Sequence, residues 1–306
     1  MKIFTDSRCL DHAPVACPEI PRRLAGILAE LERRGADLHR DEPHAEAGRA
    51  VRAVHDEAYV DRFERAVARG DGILDSADNP LCPATWSAAW AAVEATLHGA
   101  DEVAAGGGRA FAAVRPPGHH AERGLAMGFC FFNNAAVAAQ YLRDHHGVGR
   151  VAIYDFDVHH GNGTQHIFEA RADVFYASSH QFPFYPGTGA ASEKGRAKGQ
   201  GATLNVPLPA GTGPEAFLEV VDEVILPSLL RFRPEVLIAS AGFDAWKGDP
   251  LGGLRLEEET FRQLGERLRS AADEVAGGRL LSVLEGGYDL EALPRLVATY
   301  LEGVGS

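Results

Sequence analysis

The sequence predicts an α/β protein with a mainly parallel sheet flanked by helices. Short apolar runs recur at 111–114, 151–154, 174–177, 236–239 and 280–284, each with the length and composition of a buried strand. Helical patterns at 135–146, 215–230 and 257–276 lie between most of them, the alternation of a sheet with crossover helices. Each apolar run breaks at once into polar residues and glycines: RPPGHH, DFDVHHGNG, SSHQFPFYPGTG, SAGFD and EGGYD. In parallel sheets the ligand sits at the carboxyl ends of the strands, so these breaks point to one site.

The remaining elements follow in chain order. Residues 2–5 read as a first strand. PEIPRRL at 18–24 opens a helix whose Leu24, Ile27, Leu28 and Leu31 keep helical spacing. Arg22 and Arg23 fall in its first turn, where the helix dipole favours carboxylates, so they are either surface charge or an anion contact. A second helix is expected at 57–68 with Asp56 as N-cap. Residues 70–83 read as a loop rich in Gly, Asp, Asn and Pro, and 84–105 as an alanine-rich helix ended by the glycines 106–108. No linker, repeat or low-complexity stretch divides the chain, which predicts a single domain over 1–306.

Composition narrows the function classes. Hydrophobic residues make up 45% and charged residues 24%, ordinary for a globular enzyme. A formal charge of −13 argues against a nucleic-acid groove. No run approaches ~20 apolar residues, so no membrane span is expected. The start, MKIFTDSRCL, has no apolar signal-peptide core. Cys9, Cys17, Cys82 and Cys130 form no C-x-x-C pair and read as reduced thiols, which predicts a cytoplasmic location. A homo-oligomer is left open.

The densest chemistry lies at 151–165, VAIYDFDVHHGNGTQ. Asp157 and His159 stand two apart, so on extended backbone they point to one side. Asp244, just past another apolar run, is a candidate third ligand, and three protein ligands with one open position is the pattern of a catalytic zinc. His119–His120 follow Pro-Pro-Gly, which holds the pair in a fixed turn. Tyr288 follows two glycines that allow close backbone approach to such a centre. His145–His146, before Gly147, read as helix-end residues, and His12, His39, His44, His55, His98, His166 and His180 as structural.

Together, RPPGHH, GFCFFNN, DFDVHHGNGTQ, FYPGTG, AGFD, GDPLGG and EGGYDL resemble the histone deacetylase family, and more closely its class II-type and bacterial amidohydrolase-like members. The resemblance runs over nearly the whole chain. It implies a three-layer arginase/deacetylase-like fold with a mainly parallel sheet of about eight strands, within the usual range. It implies zinc on Asp157, His159 and Asp244. It makes His119 and His120 the tandem catalytic histidines, with Asp155 and Asn162 as their partners, and Tyr288 the oxyanion donor. Gly128, Phe129 and Tyr185 match the floor and walls of an acyl-lysine channel, and Tyr185 departs from the usual Phe. Asp155 and Ser178 match a monovalent-cation site, usually potassium. Arg23 matches an arginine beside an internal acetate cavity. The family's rim aspartate has no counterpart in the matching stretch ADNPLCP, where Leu81 is nearest. Leu251 stands where polyamine-preferring relatives carry Glu.

The implied activity is zinc-dependent hydrolysis of N-acetyl (acyl) amides, with acetyl-lysine-type substrates favoured over acetylpolyamines or small-metabolite amides. A two-manganese ureohydrolase is excluded because Gly161 and Trp246 occupy the positions where further carboxylates would be needed. A non-catalytic acyl-lysine binding module remains the other alternative, although every catalytic group is present.

Overall fold

The computed structural model describes residues 1–306 apart from Ala16, Gly107 and Ser306. Its strands are β1 (Lys2–Thr5), β2 (Asp37–Arg40), β3 (Ile73–Leu74), β4 (Ser76–Pro80), β5 (Arg109–Ala112), β6 (Val151–Asp155), β7 (Val174–Gln181), β8 (Thr203–Leu208), β9 (Val236–Ala241) and β10 (Leu280–Leu284). Eight of them form one sheet in the order β2-β1-β5-β10-β9-β6-β7-β8, parallel throughout. The central strands are buried on both faces, which is why they read as continuous apolar runs rather than alternating ones.

The helices are α1 (Pro21–Arg33), α2 (Ala47–Val54), α3 (Glu57–Arg69), α4 (Thr85–Gly106), α5 (Asn134–His146), α6 (Asn162–Phe168), α7 (Pro214–Val220), α8 (Leu226–Phe232), α9 (Glu258–Val275) and α10 (Leu293–Gly305). α1 buries the expected Leu24, Ile27, Leu28 and Leu31. α4 is apolar nearly all round and is buried accordingly. Of the glycines expected to end it, Gly107 lies outside the described residues. The helix expected at 215–230 is two helices joined by a π turn at Val221–Ile225, immediately before Pro227, which has no N–H to give the preceding turn. No helix among the described residues is long and apolar enough to cross a membrane.

Several expectations are corrected. α1 starts at Pro21, not at 18. Asp56 occupies the N-cap of α3 but its side chain makes no cap hydrogen bond; its carbonyl instead accepts from the Tyr59 and Val60 N–H groups. The stretch 70–83 holds the antiparallel β3–β4 hairpin. β2 and β8 went unread because they are the sheet's edges, half-exposed without an apolar run, and β8 carries Pro207, which only an edge tolerates. α2 and α6 are too short to show a period.

One buried charge cluster ties the N-terminal segment to the sheet. Glu19 receives Arg115 through Nε at 2.6 Å and Nη2 at 2.5 Å, and Arg23 through Nη1 at 2.8 Å. All three side chains are fully buried. Burial opposes ionisation of Glu19, but the two guanidinium groups outweigh it and hold the carboxyl down to about 2. Removing one member of a buried ion pair costs about 3–5 kcal/mol because the others stay buried without counter-charge. Glu19→Gln is therefore expected to lower stability by about 3 kcal/mol or more, read as a fall in the urea midpoint at unchanged slope. A loss below about 1 kcal/mol would show that the backbone acceptors alone satisfy the arginines.

Candidate active site

Five neighbouring strands, β5-β10-β9-β6-β7, deliver the site from their carboxyl ends. Asp155 is the last residue of β6, and Asp157 and His159 follow in the loop that leads into α6. Asp244 follows β9, Glu285 to Tyr288 follow β10, and His119–His120 follow β5. Loop polarity thus becomes convergence, because parallel strands end side by side.

Asp157, His159 and Asp244 offer ligand atoms that all lie within 4.8 Å of one another. Nδ1 of His159 is 3.1 Å from Asp157 Oδ1 and 3.2 Å from Asp244 Oδ2. The backbone aims both carboxylates. Gly286 N–H donates to Asp157 Oδ2 at 2.8 Å and Val158 N–H to Asp244 Oδ1 at 2.9 Å. Asp244 Oδ2 is buried without a hydrogen-bond partner, since its contact with His159 lacks hydrogen-bond geometry. Burial, then the facing Asp157, pushes the Asp244 carboxyl up to about 7. Burial opposes a charge on His159, but the two facing carboxylates outweigh it and push the imidazole up to about 10. Two buried carboxylates and an orphaned oxygen aimed at one point call for a cation, and this two-carboxylate, one-imidazole set fits zinc. Space is reserved for it: a Cβ on Gly286 would lie 2.1 Å from Asp244 Oδ2 and 2.5 Å from Asp157 Oδ2.

The tandem histidines are held in opposite states. Nδ1 of His119 is 3.0 Å from Asp155 Oδ2. Burial disfavours its charge, but Asp157 and Asp155 prevail and push it up to about 10. Nδ1 of His120 is 2.7 Å from Asn162 Oδ1. Asn162 Nδ2 donates to Glu122 Oε1 at 2.7 Å, so Oδ1 must accept, His120 carries its proton on Nδ1, and Nε2 keeps the lone pair. Burial and then the charges of His119 and His159 drive His120 well below the ordinary histidine value.

Above these groups opens a cavity of about 310 Å³, lined among others by Gly128, Phe129, Phe184, Tyr185, Leu251 and Tyr288. Phe184 stacks on His159 at 5.3 Å between ring centroids, and Tyr185 meets His120 edge-on at 5.1 Å. Phe129 adopts φ of 67°, a costly conformation for an aromatic residue, and it is anchored there by its N–H bond to Asn79 Oδ1 at 2.9 Å. Gly128 lies so close to His120 that a Cβ would sit 2.3 Å from the ring. Tyr288 is positioned from behind. Its N–H donates to Asp249 Oδ2 at 2.6 Å, and Arg23 lies 4.6 Å from its ring centroid while donating to the carbonyls of Glu285 and Gly287. Burial keeps the phenol protonated, well above the ordinary tyrosine value. Ser178 faces Asp155 across β6 and β7, and its Oγ contacts His180 Nδ1 at 2.8 Å.

Sequence reasoning missed several residues here. Leu81 packs against the core, whereas Asp78, displaced toward the cavity by the β3–β4 hairpin, lines the mouth. Asp78 accepts from Gly128 N–H at 3.0 Å and Tyr185 Oη–H at 2.8 Å, which accounts for the hydroxyl that Phe would lack. Glu285, Glu122 and Asp249 were also missed. Glu285 fastens the His119 turn by accepting from the Gly118 and His119 N–H groups at 2.7 and 3.1 Å. The acidic residue directly after a buried strand was the available signal for Glu285; Glu122 and Asp249 carried none.

Comparisons with known proteins agree with this geometry. The family model described as histone deacetylase domain matches residues 17–304. The histone deacetylase-like amidohydrolase of Pseudomonas aeruginosa is 40% identical over 90% of this chain and 73% of its own length. The crystal structure of the HDA15 HD domain superposes with a TM-score of 0.92 at 34% identity, covering 100% of this chain and 91% of its own. That of acetylpolyamine aminohydrolase from Burkholderia pseudomallei gives 0.88 at 33% identity, covering 100% and 99%.

Gly286→Ala is expected to abolish retention of one zinc per chain while the fold persists, because the new methyl occupies the space between the two carboxylates. Asp244→Ala is expected to do the same. Metal analysis after dialysis, beside circular dichroism, checks both; full retention in either variant would remove that residue from the metal centre.

Proposed function

Because the chain belongs to the histone deacetylase family, whose members hydrolyse amides, we propose that it is a zinc-dependent deacetylase of N-acetyl amides, acting chiefly on acetyl-lysine-type substrates. The observation that carries the reading is the pairing of a neutral His120 and a cationic His119 beside the Asp157–His159–Asp244 cluster at the base of one apolar-walled cavity.

Asp157, His159 and Asp244 would hold the zinc, which would supply Lewis acidity to the hydrolysis. The chain's own groups do the rest. His120 Nε2, left with its lone pair by the Asn162 bond, accepts the proton of the attacking water and passes it to the leaving amine. The neutral amide of Asn162 fixes that tautomer without adding the negative charge that would raise the imidazole pKa. His119, paired with Asp155, stays cationic and offsets the charge that develops as the carbonyl is attacked. Tyr288 donates a hydrogen bond from its hydroxyl to the developing oxyanion and keeps its proton. Phe129, Phe184 and Tyr185 wrap an alkyl chain and exclude water from the reacting amide. Potassium on Asp155 and Ser178, a cytoplasmic location and one catalytic domain over 1–306 belong to the same reading.

Leu251 supports the substrate class. An apolar residue at the mouth gives the far ammonium of an acetylpolyamine no partner, and the nearby Asp78 is already engaged by Gly128 and Tyr185. An acetylpolyamine substrate is the second reading, favoured by the likeness to the Burkholderia enzyme.

Two measurements test the proposal. Tyr288→Phe is expected to lower kcat about 10²-fold or more with metal content unchanged; a change below threefold would sink the oxyanion role. Wild type is expected to cleave acetyl-lysine peptides with higher kcat/KM than acetylspermidine, and Leu251→Glu to shift the ratio toward acetylspermidine. Preference of the wild type for acetylspermidine would establish the second reading, and turnover of neither would overturn both.

A further inference from the structure

The histidines that the catalytic reading leaves over do not scatter. His44 lies between β2 and α2, His98 and Asp101 stand one turn apart on α4, and His146 ends α5. The fold gathers them round one carboxylate. Asp101 Oδ2 is 3.0 Å from His44 Nε2, and Oδ1 is 2.7 Å from His146 Nε2 and 2.8 Å from the Tyr141 hydroxyl. The His44 and His98 rings meet edge-on with centroids 4.8 Å apart. His44, His98 and Asp101 each offer a ligand atom within 4.8 Å of the other two, a property shared among the described residues with the catalytic cluster alone.

We propose that His44, His98 and Asp101, with His146 bonded to the outer oxygen of Asp101, form a second site for a divalent transition metal of the zinc, nickel or copper type. None of the four lines the substrate cavity. Imidazole-rich sets with one carboxylate suit these ions rather than magnesium or calcium. Ligands three apart on a helix share a face, so half the site is preorganised by α4 alone. Nε2 of His98 lies 3.1 Å from the Glu42 carbonyl, which makes Nε2–H the donor and leaves the lone pair on Nδ1; a ring nitrogen held by a carbonyl while the other is free is the arrangement that ligating imidazoles adopt. For His44, the Glu46 N–H lies 3.3 Å from Nδ1, a weak restraint on the opposite tautomer. Tetrahedral bonds of ~2.0–2.1 Å place ligand atoms ~3.3 Å apart, so closure needs modest side-chain rotation. The site is reachable, since the side chains of Asp101 and His146 are 39% and 24% exposed while that of His44 is 7% exposed. An ion there would bind α4, α5 and the segment before α2 together.

The test is a metal count on the whole zinc-loaded protein, dialysed against a chelator of micromolar affinity so that isolated surface histidines are stripped. Wild type is expected to keep two ions per chain, His98→Gln and Asp101→Asn one each with turnover retained, and Asp244→Ala one without turnover. Cobalt substitution is expected to add a second set of d–d bands that is absent from His98→Gln, and the second equivalent of metal to raise Tm in wild type only. One ion per chain in wild type, or two in both His98→Gln and Asp101→Asn, would overturn the proposal. Circular dichroism of each variant confirms the fold, and His98→Gln, which leaves the Asp101–His146–Tyr141 bonds in place, carries the test should Asp101→Asn unfold.

Discussion

Two carboxylates, Asp157 and Asp244, are buried face to face at the ends of neighbouring strands. Such a pair is unfavourable without a positive partner, and the surrounding backbone is arranged to hold both rather than relieve the repulsion. Gly286 and His159 give their N–H groups to the two oxygens of Asp157 and Val158 gives its own to Asp244 Oδ1, which leaves Asp244 Oδ2 without a hydrogen-bond partner beside Gly286. The methyl that most residues would place there is missing at Gly286. This constraint links β6, β9 and β10, so the demand for a cation is set by the sheet itself.

Behind it stands a second layer of buried charge. Glu19 holds Arg23 and Arg115, Arg23 holds the carbonyls on either side of Gly286 and packs on Tyr288, and Glu285 holds the turn that carries His119. Arg23 therefore acts on the phenol through position. Its place in the first turn of α1, unfavourable by the dipole, is offset by Glu19 one turn earlier. The histidine pair draws its asymmetry from the same economy of charge: a carboxylate beside His119 and a neutral amide beside His120 separate one cationic from one neutral imidazole.

The cavity walls show how the mouth and the base are coupled. Asp78 fastens the Gly128 backbone and the Tyr185 hydroxyl, while Asn79 fastens Phe129 in its left-handed conformation. The β3–β4 hairpin is thus the splint for both aromatic walls. Its short, polar strands carry no signal that would distinguish them from a loop.

Much of this was legible in the residues. The apolar runs located the central strands because those strands are buried on both faces, and the polar residues after them located the site because parallel strands end together. Asp157, His159 and Asp244 could be read as one cluster for the same reason. The sequence did not place the edge strands β2 and β8, whose half-exposed positions carry no apolar run, nor Asp78, whose register depends on a hairpin turn. It also gave His44, His98 and His146 no common meaning, since they lie on three segments far apart in the chain. Local pattern reports burial and backbone direction; partners contributed by separate segments are decided only when the packed helices and strand ends bring them within bonding distance.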